Sequence, residues 1–215
     1  MKNTPSLTPL AKAMAEASQP QATPVDVFKL ARGRWLEGKR ISLCDLAKAL
    51  GVSRGKLYRW VGNKDLLLDE ILWSLTRPEF ERIVKETPGA GIDHIVEVHR
   101  RFMTAILSFK PLQQFFDHDP TYALRILTRD AIGANDRLIK LAADHIQDQA
   151  GKGHLHLAAP ADKLAEVLIR TNESIIFSDI ISGRSPAIEQ ACAVTRALLT
   201  TGKISDCTQA QNSSR

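Results

Sequence analysis

Residues 41–68 read ISLCDLAKALGVSRGKLYRWVGNKDLLL, and the spacing of their apolar side chains decides the fold. Leu43, Leu46, Ala47 and Leu50 fall at i, i+3, i+4 and i+7, one stripe on a short helix that Ser42 can cap. Gly51 follows at once, where a left-handed residue is wanted. Val52 plugs the turn, and Ser53 can cap a third helix that runs to about Val61. Asn63 caps a fourth, with Asp65 well placed against its N-terminal dipole. Upstream, Thr23-Pro24 opens a first helix whose Val27, Leu30, Ala31 and Trp35 share a face, and Gly38 ends it. Two short helices joined by a tight glycine turn and packed on an earlier helix make a helix-turn-helix. Its expected core is Leu46, Ala47, Leu50, Val52, Leu57 and Val61.

Charge points the same way. The chain carries a net +5, but residues 24–64 hold ten Lys and Arg against three acids, a net +7. A compact positive segment on a nearly neutral body implies a polyanion as partner of that segment. The outward side of the third helix is left to Arg54, Lys56, Tyr58 and Arg59. A helix fits the DNA major groove, where Arg or Lys can donate to guanine, while hydroxyls and helix N-termini hold phosphates. An all-helical interaction module would show the same apolar spacing, and a solvated helix surface the same charge.

The stretch GVSRGKLYRWVGNKDLLL resembles the signature of TetR-type bacterial repressors, with its Gly-Val-Ser turn, Leu-Tyr pair and a Lys opening the fourth helix. The resemblance covers about residues 24–75. It implies that Tyr58 and Lys64 contact phosphates, that Ser42 caps the second helix near the backbone, and that Arg54, Gly55 and Lys56 face base edges. Ser53, Arg59, Cys44 and Trp60 complete the expected DNA-binding set. Trp60 stands where the family more often has His or Tyr, and its indole N–H still donates to a phosphate; Cys44 offers only a weak donor. Three later stretches, LYRWVGNKDLLLDEILWSL, YALRILTRD and IRTNESIIFSDIISGRSP, are similar to a branch of these repressors that controls quorum-signal degradation. That likeness implies a lactone-like or acyl-chain effector.

Beyond the fourth helix, which Pro78 threatens to kink or split, TPGAG at 87–91 marks a break. Periodicity then predicts helices at about 92–109, 111–117, 120–131, 134–150, 160–182 and 186–201, so the fold class is all-α. The expected organisation is a flexible tail over 1–22, a helix-turn-helix domain over 23–69, a larger helical ligand-binding and dimerisation domain over 70–202, and a tail over 203–215. The helix at 160–182 is apolar round most of its surface yet carries Arg170, Thr171, Asn172, Glu173 and Ser174 at its centre. Buried polar groups need partners, which structural pairing or a ligand would supply. Tyr122, Asn172 and Glu173 are the first polar candidates for a ligand, with Phe102, Ile106, Phe116, Arg125, Ile169 and Ile176 around them. The resemblance places a homodimer interface on the helices near 160–182 and 186–201.

Several classes drop out. No run of about 18 apolar residues exists to span a bilayer, and no apolar block follows Lys2 as a secretory signal requires. Cys44, Cys192 and Cys207 fit neither a disulfide framework nor a zinc site, so a reducing cytoplasm is the expected compartment. The six histidines make no HExxH, and no phosphate-cradling glycine motif or Gly-x-Ser-x-Gly elbow is present. No enzyme, no cofactor and no metal are expected. The sequence thus predicts a regulator whose partners are double-stranded operator DNA and a small effector; the alternative is a helical interaction or lipid-carrying module without sequence-specific DNA binding.

Overall fold

A computed structural model describes residues 22–128 and 133–201, together with Thr8 and Leu10. Among them lie ten helices and no strand: α1 (Pro24–Leu36), α2 (Leu43–Ala49), α3 (Arg54–Val61), α4 (Lys64–Glu86), α5 (Gly91–Ser108), α6 (Lys110–His118), α7 (Pro120–Leu127), α8 (Ala134–Gly151), α9 (Ala161–Ile181) and α10 (Ile188–Thr201). The tails expected over 1–22 and 203–215, like Cys207, lie almost wholly outside the described residues, as does the last turn of the helix expected over 120–131. No helix among the described residues is long and apolar enough to cross a membrane.

Local chemistry explains where the first helices begin. The Thr23 hydroxyl accepts from the Asp26 amide while the Asp26 carboxylate accepts from the Thr23 amide at 2.8 Å, a reciprocal cap that stabilises the helix end by roughly 1 kcal/mol. Ser42, Ser53 and Asn63 cap α2, α3 and α4 in the same manner. Gly51 takes φ 63° between α2 and α3, where a side chain would be strained. At Gly38 (φ 73°) a Cβ would also collide with the Gln114 side chain, so the turn after α1 sits directly on α6.

These caps set three short helices around one core. Val27, Ala31, Leu46 and Leu57 are completely buried, with Trp35, Leu43, Ala47, Leu67 and Leu68 close to it. Leu50, Val52 and Val61 are half-buried at its edge. The core does not stop at the helix-turn-helix: Leu112 of α6 and Ile126 of α7 belong to it, and the Trp35 ring meets Phe109 at a tilt and Phe115 edge-on.

α4 joins the two parts and corrects one expectation. It runs unbroken for 23 residues through Pro78. Proline removes one hydrogen bond, to the carbonyl four residues earlier, and here Pro78 is solvent-exposed while Leu67, Leu68, Ile71, Leu72, Phe80 and Ile83 bury the opposite side. Packing on both flanks outweighs the missing bond. The domain boundary expected between residues 69 and 70 therefore falls inside one continuous helix. Behind it α5, α8, α9 and α10 form a helical bundle, with α8 and α10 each packed against α9 and α10 also against α5.

Candidate nucleic-acid interface and interior cavity

α3 is an eight-residue helix with one buried side and one bare side. Leu57 has no exposed surface and holds the helix to the core. Ser53, Arg54, Gly55, Tyr58 and Arg59 are exposed, Tyr58 by 47%. The Ser53 hydroxyl accepts from the Lys56 amide at 3.2 Å, and its own proton stays available. Lys56 lies with Nζ 5.0 Å from the centre of the Trp60 ring, which orients the cation along the helix. None of Arg54, Lys56 and Arg59 forms an ion pair with an acid among the described residues. Exposed cations at a capped helix N-terminus form a surface suited to phosphate and guanine acceptors.

The neighbouring residues divide. The Ser42 hydroxyl accepts from the Asp45 amide at 3.3 Å as the cap of α2, and half-buried Cys44 is a free thiol beside it. Lys64 is turned inward: its Nζ stands 4.5 Å from the centre of the Tyr122 ring. Tyr122 also receives the Arg125 guanidinium on its ring at 5.0 Å, and its hydroxyl donates to Asp65 Oδ1 at 2.8 Å. Arg125 donates to the other Asp65 oxygen at 3.0 Å. Burial and the Asp65 carboxylate hold the Tyr122 phenol protonated well above its ordinary range. Tyr122 and Arg125, expected as ligand contacts, are thus committed to the start of α4. They line no part of the large cavity described next; Tyr122 instead borders a small cleft with Lys64, Arg40 and Trp35.

The larger domain holds a cavity of about 480 Å³ that is partly open to solvent. Four helices wall it, each with one periodic face: Leu72, Leu75, Thr76, Glu79 and Phe80 from α4; Ile95, Val98, His99, Phe102 and Ile106 from α5; Asn135, Leu138, Ala142, His145 and Ile146 from α8; and Leu168, Ile169, Asn172, Glu173 and Ile176 from α9. Phe116 of α6, Ile126 and Leu127 of α7 and Trp35 of α1 close the end next to the helix-turn-helix. The structure therefore brings Phe102, Ile106, Phe116, Ile169, Asn172, Glu173 and Ile176 together around one space, and leaves Tyr122 and Arg125 outside. Of the other polar residues at the centre of α9, Arg170 and Ser174 are exposed, and Arg170 is directed to Glu166.

Four further polar residues of the cavity wall, His99, Asn135, His145 and Thr195, are not among the candidates the sequence offers. His99 lies between two partners, with the Asn172 amide nitrogen 3.0 Å from Nε2 and the Thr195 hydroxyl 2.8 Å from Nδ1. Thr195 in turn donates to the Ala191 carbonyl. The chain of donors fixes His99 as the neutral tautomer protonated on Nδ1, and burial lowers its pKa to about 4. On the opposite wall His145 packs against the rings of Phe80 and His94, and burial with the His94 ring beside it lowers its pKa to about 4 as well. Asn135 Nδ2, His145 Nε2 and Asn172 Oδ1 are buried without a hydrogen-bond partner among the described residues. Asn135 and His145 share a face of α8 with Leu138 and Ala142; a polar residue recurring on an apolar stripe was the available signal.

A profile of the tetracyclin repressor-like C-terminal domain matches residues 90–200, which holds the cavity-bearing helices α5, α8 and α9. Among solved structures, the chain is similar to the transcriptional repressor QsdR from the TetR family of R. erythropolis, with a TM-score of 0.76 and 26% identity over 82% of this chain and 94% of that one. No curated protein matches the chain.

Proposed function

Because the chain belongs to the TetR family of transcriptional regulators, we propose that it is a repressor that grips a palindromic operator as a homodimer and lets go when a small, largely apolar effector fills the cavity. Repression is the activity of the similar R. erythropolis protein, and the work would be done in the cytoplasm, on chromosomal DNA. The observation that carries the reading is the outer side of α3, where Arg54, Lys56 and Arg59 stand exposed or half-exposed, without an acidic partner among the described residues, on a helix fastened by Leu57. In this reading Arg54, Gly55 and Lys56 meet base edges, while Ser42, Ser53, Tyr58 and Trp60 hold the backbone and fix the register. Lys64 reaches a phosphate only by leaving the Tyr122 ring.

Pairing through α9 and α10 supplies the second reading head. Ile181, at the end of α9, leaves 67% of its surface exposed, and a two-fold axis beside these helices presents two copies of α3 to two half-sites. The effector must favour the form that does not fit the operator, since equal affinity for both forms shifts nothing. An acyl chain or lactone suits the apolar walls. A lipid-carrying module would share the cavity but has no use for unpaired cations on α3. Selection of bound fragments from the source genome tests the reading, followed by footprinting. Lys56→Ala is expected to relax preference at one position of each half-site, at a cost of about 1–3 kcal/mol, whereas Tyr58→Phe weakens all sequences alike. An unchanged preferred site in Lys56→Ala would overturn the assignment of the reading face.

A further inference from the structure

The walls of the cavity restrict the charge of what enters it. Among the described residues that line it there is no Lys or Arg. Its two imidazoles, His99 and His145, are uncharged at neutral pH. Its two carboxylates are Glu79, paired outward with Arg82 at 2.6 Å, and Glu173. A carboxylate brought into such a space loses much of its water and finds no cation among the described lining residues to replace it, which is unfavourable. Neutral polar groups are better served. Among the described residues, Asn135 offers an unused N–H, Asn172 an unused carbonyl oxygen, and His145 an unused ring nitrogen.

Their placement also speaks to shape. Asn135 and His145 lie ten residues apart on α8, roughly 15 Å along the helix axis, with Leu138 and Ala142 on the same face between them. The hydrogen-bonding points are thus spread along an apolar trough.

We propose, resting on the effector reading above, that the cavity selects uncharged amphiphiles that carry both a hydrogen-bond acceptor and a donor, and turns away the corresponding carboxylates. The acceptor is met by the Asn135 amide, the donor by Asn172 Oδ1, and the hydrocarbon lies against Leu138, Phe102 and Ile176. A consequence for regulation follows. Hydrolysis of a neutral acyl amide or ester effector to its acid would end the signal, because the product no longer fits the walls.

The test uses the full-length protein at neutral pH and a matched pair of probes, decanamide and decanoate, with heat of binding measured by calorimetry. Trp35, at the end of the cavity, gives a second readout through its fluorescence. Decanamide is expected to bind saturably and at least about tenfold more tightly than decanoate, a difference of about 1.4 kcal/mol. Asn172→Leu is expected to weaken decanamide by about tenfold through loss of its buried polar contact; Asn135→Leu provides the same arm should that variant fail to fold. Equal binding of the two probes, or tighter binding of decanoate, overturns the charge selectivity and leaves the effector cavity standing. Binding of neither overturns both.

Discussion

His99 and His145 set the response of the folded chain to acid. Both are held neutral, with pKa values about 4 against an ordinary 6.5. Between those two values the unfolded chain takes up protons that the folded chain refuses, so stability is complete above pH 6.5 and falls as the pH drops towards 4. Each histidine accounts for about 3 kcal/mol over the whole window. The ion-paired carboxylates Glu79, Glu97 and Glu189 have pKa values lowered below 4.5 and titrate beneath most of that window. Thermal unfolding followed at intervals from pH 7 to pH 4.5 is expected to show a steadily falling midpoint, with a shallower slope in His145→Gln. A midpoint that stays level across the interval would mean that neither imidazole is buried as described. The same residues show what sequence reading reaches. Asn172 stood out because it interrupts an apolar helix at its centre, whereas His145 did not, because a single histidine on an apolar face is ordinarily a satisfied core residue. Only the fold reveals that its Nε2 faces a space without a partner.

The decisive element is α4, which begins beside the reading helix and ends in the wall of the cavity. Beside its buried apolar side, polar side chains tie it to three other helices: Ser74 accepts from Arg32 of α1 at 3.1 Å, Asp65 receives Tyr122 and Arg125 of α7, and Glu70 pairs with Arg137 of α8. α7 carries Ile126 and Leu127 into the cavity and Tyr122 and Arg125 onto Asp65. A ligand that displaces the first pair moves the second, and with it the start of α4. Tyr122→Phe removes the hydroxyl bond to Asp65 while keeping the ring under Lys64. Such a variant is expected to bind effector within about threefold of the parent yet lose part of the coupling between effector and operator, out of the 1–3 kcal/mol that is typical (about 5–150-fold). The ratio of operator affinities with and without effector measures this, and an undiminished ratio would show that Asp65–Tyr122 is not a route of coupling. The helices themselves were legible, since caps and periodicity act within a few residues of one another: Ser42, Ser53 and Asn63 each bond an amide three positions on. Tyr122 was misplaced because its partner Asp65 is 57 residues away, and nothing local distinguishes a tyrosine that braces a helix from one that meets a ligand. Pro78 misled for the opposite reason, as a local rule was outweighed by burial on both sides of it.

At the scale of the molecule, one hydrophobic core runs from Val27 and Leu57 through Trp35 to Leu112 and Ile126, so reading head and cavity share atoms. That continuity gives a small ligand a means of altering DNA binding across the boundary expected between residues 69 and 70. The all-helical class was readable from periodicity and the cationic segment from charge; the shared core was not, since it depends on contacts between α1, α6 and α7. A pair of such chains joined through α9 and α10 would place two cationic helices on one face of a duplex. Titration of a genome-selected operator fragment with the purified protein across a range of salt concentrations, with the mass of the complex determined alongside, tests this most directly. The expected result is two chains per site and a logarithmic affinity that falls linearly with the logarithm of salt, by about 0.9 for each phosphate neutralised. A strictly monomeric protein, or one that ignores every double-stranded fragment at low ionic strength, would contradict it.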